Sequence, residues 1–179
     1  MDTPTHALIP VIAYGLMRQK QLVSGTREEK IAVWRNAALI ALVGALPDMV
    51  DPHVSLEERL HSWSHSLVGW AGFSALFAAL CLAGWRWWTP GLAIWLSLAY
   101  GSHLVGDAIA GGLGWSYPIG DHVVGDYYIP PRWWIPANFI SLGLAYAVYR
   151  VLPRIAMAGQ QFDRPAKSAP DDPPEGGGC

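Results

Sequence analysis

Two stretches, residues 66–85 and 133–152, are almost free of charge, and each run of about 20 residues is long enough, at roughly 1.5 Å of helical rise per residue, to cross a hydrocarbon core about 30 Å thick. Runs of this length direct the chain toward a membrane-embedded helical bundle. Composition agrees, since 52% hydrophobic residues, 15% charged residues and ten Trp in 179 positions are unusual for a soluble domain. Three shorter apolar segments, residues 5–17, 31–46 and 90–106, predict further helices, tilted or partly re-entrant where they fall short of a full crossing. The expected fold is all-α: a membrane-embedded bundle of about five helices within residues 1–157. The remaining segment, residues 158–179, is rich in Pro, Gly, Asp and Ser and is expected to be a disordered tail.

The basic residues are segregated. Arg18, Lys20, Arg27, Lys30 and Arg35 cluster between or near the first two helices, Arg86 lies between the third and fourth, and Arg150, Arg154, Arg164 and Lys167 follow the fifth. The opposite loops hold only Arg59 and Arg132. Retention of basic loops on the cytoplasmic side predicts a multi-pass protein of a plasma or inner membrane, its N-terminus outside and its C-terminus cytoplasmic. Trp85, Trp87 and Trp88 would mark the inner interface, and Trp63, Trp115, Trp133 and Trp134 the outer one. The first apolar run lacks a basic leader and a small-residue cleavage site, so it is expected to be retained. Cys81 and Cys179 are too far apart in depth to pair. No internal repeat, Gly-rich phosphate loop or basic aromatic surface is evident, and no nucleic-acid partner is expected.

All six histidines fall on the side opposite the basic cluster. Ionisable groups near a bilayer are costly unless they pair with one another or with a metal. The sharpest motif is His61-Ser-Trp-Ser-His65, whose imidazoles, if helical, would share a face and could grip one ion. The alternative is a solvated or hydrogen-bonded pair. In Ser102-His103-Leu-Val-Gly-Asp107, the His and Asp share a helical face as metal ligands or as a buried clamp between helices. In Leu46-Pro47-Asp48-Met-Val-Asp51-Pro52, two prolines bracket a turn carrying two carboxylates, which could instead be a solvated cap, with His53 as a satellite. In Asp2-Thr-Pro-Thr-His6, Asp2 or Thr3 suits a helix cap and His6 lies one turn inside as a ligand candidate. Glu57, Glu58, Asp121, His122 and Asp126 line the same face as solvated loop residues.

Taken together, the four motifs predict a metal centre with His6, Asp48, Asp51, His61, His65, His103 and Asp107 as candidate ligands. Imidazole and carboxylate without thiolate suit a divalent ion, zinc first, with manganese or iron as alternatives. Such a centre acidifies water and polarises a phosphoryl or carbonyl oxygen.

In this order the motifs are similar to those of the YdjM-like family of inner-membrane proteins, to which metal-dependent hydrolysis is ascribed. The residues that carry the resemblance are Thr5-His6, Leu46-Pro47-Asp48 with Asp51, His61 through His65-Ser66-Leu67, Gly101-Ser-His103 with Asp107, and Gly114-Trp-Ser-Tyr-Pro118. They extend over roughly residues 2–120. The chain departs from the pattern where many members read HRGxTHSL and this one reads HSWSHSL, so Ser62 replaces an arginine, and where Val50 and Asp51 stand in place of the more common PDxDH. The resemblance implies a membrane-bound metal-dependent hydrolase working at the outer membrane face on a phosphoester or lipid head group, with Asp48 or Asp51 bridging or acting as base. Two other functions fit the residues: a non-enzymatic metal-binding or transport protein, and a scaffold in which the His and Asp residues form a metal-free clamp.

Overall fold

The computed structural model describes residues 3–52, 55–85 and 87–162. Asp2, His53, Arg86 and everything from residue 163 onward, including most of the expected tail, lie outside the described residues, and Leu56, Glu57, Gln161 and Phe162 are described by their backbone alone.

Among the described residues the fold is helical apart from one short hairpin. Helix α1 spans Thr3–Met17, and a short α2, Gln19–Ser24, turns the chain toward α3, Arg27–Val50. Helix α3 starts at a capping box, in which the Thr26 hydroxyl accepts from the Glu29 amide at 3.2 Å and the Glu29 carboxylate accepts from the Thr26 amide at 2.7 Å. It outruns the expected 31–46 at both ends. Pro47 does not end it, because the Pro47 carbonyl still accepts from the Asp51 amide at 3.3 Å, so Asp48 stands on the last turn of a helix rather than in a loop.

After the one-turn helix α4, Leu56–Leu60, the chain makes a 3-10 turn at Trp63–His65 and enters α5, Leu67–Leu82, capped by Ser66. Helix α5 is 16 residues long, shorter than the expected 66–85, and stops before Gly84, whose φ of +68° a β-carbon would disfavour. Helix α6, Pro90–Ile109, begins with Thr89 as cap and Pro90 in its first turn. It runs past the expected end at residue 106 and so carries Asp107 on the same helix as His103. Helix α7, Trp134–Tyr146, continues through a π-helical segment, Ala147–Val151, into α8, Leu152–Phe162. Between α6 and α7, strands β1, Leu113–Gly114, and β2, Val123–Val124, pair antiparallel with Leu113 opposite Val124; two residues per strand are too few to show as period-two alternation.

Helix α1 packs against α3, α6 and α7, while α5 docks on the flank of α6. Val33, Ala37 and Ile40 of α3 and Leu96, Ala99, Tyr100 and Leu104 of α6 are buried in one hydrophobic core. The outer surface is apolar as well: Ile94, Leu98, Val105, Phe139, Ile140 and Leu142 are all exposed. In water this would be a large exposed hydrophobic surface; against lipid it is the expected one. Among the described residues three helices, Arg27–Val50, Pro90–Ile109 and the continuous Pro131–Gln160, are long and apolar enough to cross a membrane.

Candidate metal centre

One end of α1, α3 and α6 converges with the 61–66 connection. Two glycines permit the approach: a β-carbon on Gly44 would come within 2.8 Å of the His6 carbonyl, and one on Gly106 within 2.5 Å of the His6 ring. His6 can therefore lie against His103, with ring centroids 4.1 Å apart.

At this junction Asp48, His65, His103 and Asp107 each present one ligand atom, all within 4.8 Å of one another. His65 Nε2 is 3.3 Å from His103 Nε2, 3.1 Å from Asp48 Oδ1 and 3.5 Å from Asp107 Oδ2. His103 Nε2 is 3.4 Å from Asp48 Oδ1 and 3.2 Å from Asp107 Oδ2. Bonds of about 2.0–2.2 Å in a tetrahedral site separate neighbouring ligand atoms by roughly 3.3–3.6 Å. The five edges that involve an imidazole nitrogen, 3.1–3.5 Å, lie close to that separation, and the sixth, between the Asp48 and Asp107 oxygens, lies within 4.8 Å.

The hydrogen bonds on the far side of each ring decide what the near side offers. His103 Nδ1 lies 2.7 Å from the Gly44 carbonyl, which can only accept, so Nδ1 carries the proton. His65 Nδ1 lies 3.0 Å from the hydroxyls of both Ser62 and Ser64. Ser62 donates to Asp51 Oδ2 at 2.7 Å and Ser64 donates to the Pro47 carbonyl at 3.0 Å. With both hydroxyl protons engaged, the two serine oxygens accept from His65 Nδ1. Each ring in its neutral form then points an Nε2 lone pair at the other and at two carboxylate oxygens. In that form the four convergent acceptors suit a cation at their centre, and backbone or carboxylate-linked anchoring of the opposite ring nitrogen is the usual support for a metal-binding imidazole. The residues present fit a divalent ion and are able to bind one.

The surrounding contacts fix the carboxylates. Thr3 donates to Asp48 Oδ2 at 2.6 Å. Asp107 Oδ1 accepts from Arg59 Nη1 at 2.7 Å and lies 3.2 Å from His6 Nε2, which leaves Oδ2 facing the two histidines. Arg59 is 3% exposed, and its Nη2 donates to the Gly112 carbonyl at 2.9 Å. His65 and His103 are fully buried and Asp107 is 2% exposed, whereas Asp48 is 21% exposed, so the cluster opens to its surroundings past Asp48.

A family model, that of the YdjM inner membrane protein, matches residues 1–162. The chain belongs to the YdjM inner membrane protein family. No curated protein and no solved structure matches it. The YdjM match takes in every residue of the cluster, so the convergence lies within the family domain rather than in an appended segment.

The predicted site residues separate into three sets. Asp48, His65, His103 and Asp107 meet as the four-residue group. His6 touches that group through Asp107 Oδ1, and Asp51 reaches it one hydrogen bond removed, through Ser62 to His65. His61 stands apart. The expected shared helical face of His61 and His65 does not form, because α4 ends before His61, Ser62 is extended and a 3-10 turn follows. His61 is exposed and packs edge-on to Tyr117 at 6.0 Å, and the exposed His122 lies in the β1–β2 connection. Sequence reasoning assigned no role at the site to Arg59, Ser62, Ser64 or Thr3. For Arg59 one signal was available: it is one of only two basic residues on the histidine side of the chain.

Proposed function

We propose that the chain is a membrane-bound metal-dependent hydrolase in which Asp48, His65, His103 and Asp107 hold one divalent ion, zinc in the first instance. The observation that carries this reading is the convergence of two imidazole nitrogens and two carboxylate oxygens from three chain segments, all within 4.8 Å of one another. When bound, the ion supplies Lewis-acid polarisation of a phosphoryl or carbonyl oxygen and acidifies water.

The chain's own residues would do the rest. Asp48, at the open edge, would present Oδ1 to the ion while Thr3 donates to Oδ2 and fixes the carboxylate. Asp51 acts at one remove, orienting His65 through Ser62. Arg59 and His6 hold Asp107 in register. A site that opens past Asp48 at one end of the bundle suits a phosphoester or lipid head group presented at the membrane surface. The basic residues gather at the other end, which favours an outward-facing site in a plasma or inner membrane.

Elemental analysis of purified full-length protein tests the reading, with wild type compared with His65→Ala and His103→Ala. Near-stoichiometric metal in the wild type and its loss in both variants is expected, followed by metal-dependent turnover of phosphodiester and phospholipid substrates that a chelator abolishes and added metal restores. A wild-type protein without stoichiometric metal leaves a clamp in which a protonated imidazole supplies the central positive charge. Metal without turnover, but with metal-dependent flux in proteoliposomes, assigns the site to transport.

A further inference from the structure

A second polar feature lies at the opposite end of the bundle. Arg35 projects from α3 roughly 20 Å along the helix axis from Asp48. Its Nε and Nη2 donate to Asn36 Oδ1 at 3.2 and 3.0 Å, and Asn36 donates onward to the Tyr14 hydroxyl at 3.1 Å. The guanidinium sits 4.8 Å from the centroid of the Trp87 ring. Arg35, Leu39, Trp85, Trp87, Trp88 and Leu92 together line a cavity of about 470 Å³ whose walls are chiefly apolar.

Arg35 has no carboxylate partner among the described residues. Among the described residues this half-buried guanidinium has neutral neighbours in an open apolar cavity and no counter-anion, and the stacked ring and the Asn36 amide fix its fork in place. Indoles favour the headgroup level of a bilayer, where one side of the ring is wet and the other apolar. We propose that this cavity binds one anionic glycerophospholipid, its phosphate on Arg35 and its first acyl methylenes against Leu39 and Leu92. An anionic headgroup is favoured over a zwitterionic one because the cavity wall offers no carboxylate to an ammonium group. This site shares no residue with the His/Asp cluster and does not depend on metal being bound there.

Native mass spectrometry of the full-length protein, equilibrated in detergent with equal amounts of phosphatidylglycerol and phosphatidylcholine, provides the test. The wild type is expected to retain one phosphatidylglycerol with about tenfold preference, the scale of a charge-assisted contact. Arg35→Gln should remove the preference. Arg150→Gln should keep it, since that guanidinium stacks on Trp34 outside the cavity. Equal retention of the two lipids by wild type, or an unchanged preference in Arg35→Gln, overturns the proposal. If Arg35→Gln does not fold, Trp87→Ala, which removes an exposed ring, decides: retention must fall at least severalfold, and wild-type retention overturns the proposal.

Discussion

At the residue scale, the most informative side chain is one that the linear pattern marked only by its sign, as one of two basic residues on the histidine side. Arg59 is buried, its Nη1 and Nη2 are committed to Asp107 and the Gly112 carbonyl, and no acceptor for its Nε is found among the described residues. By clamping Asp107 Oδ1 it turns Oδ2 toward His65 and His103, so its effect on a cation is indirect. Arg59→Met should lower the metal affinity by about 10–100-fold, the range seen when outer partners of ligands are removed, while Arg59→Lys, with a single ammonium for two acceptors, should recover only part of it. Titration with cobalt, read from its visible spectrum, measures both; an affinity equal to wild type in Arg59→Met would remove Arg59 from the site. His65, His103, Asp48 and Asp107 were legible in the sequence because each sits in a compact polar motif inside apolar context. Arg59 was not, because its partners are 48 and 53 positions away and nothing local marks it as buried.

At the scale of the elements, the bundle of helices was readable from apolar runs, but the ends of the helices were not, and the ends carry the site. Pro47 reads as a stop signal, yet α3 continues to Val50 and sets Asp48 on its last turn. His61-Ser-Trp-Ser-His65 reads as one helical face, yet the extended Ser62 breaks it and sends Ser62 and Ser64 to support His65 instead of letting His61 join it. In both cases a tertiary hydrogen bond, Ser64 to the Pro47 carbonyl, ties the 61–66 connection to α3, and propensity along the chain cannot report it. What brings α1 to this junction is the absence of side chains at Gly44 and Gly106. Gly106→Ala should improve the intrinsic helical propensity of α6 and still destabilise the protein, because its methyl would fall 2.5 Å from His6 Cε1. Displacing a buried ring on this scale costs about 1–3 kcal/mol. A lowered thermal midpoint for Gly106→Ala beside an equal or raised one for Gly143→Ala, which lies inside α7 where a β-carbon meets nothing within 4 Å, would isolate the steric effect; a Gly106→Ala midpoint no lower than that of wild type would mean that α1 is not held by this contact.

For the whole molecule, the question is which side of the membrane the cluster faces, and the helix order makes it a single binary choice. Helix α1 leads away from the cluster to Lys20 on α2, α3 returns to Asp48, α5 leads away again, and α6 returns to Asp107 before the β1–β2 connection. Lys20 and Ile119 therefore mark opposite ends of the bundle, and both are exposed. Basic residues in short connections are retained in the cytoplasm, and here Arg18, Lys20, Arg27 and Lys30 all lie near the α1–α3 connection. In full-length protein with Cys81 and Cys179 replaced by Ser, Ile119→Cys should react with a membrane-impermeant maleimide on intact cells, and Lys20→Cys only after the membrane is opened. The reverse pattern would turn the cluster toward the cytoplasm and confine any substrate to the inner leaflet, and it would also move the Arg35 cavity to the outer one. The metal reading itself would survive such an inversion, because it rests on distances within one end of the bundle and not on the direction that end faces.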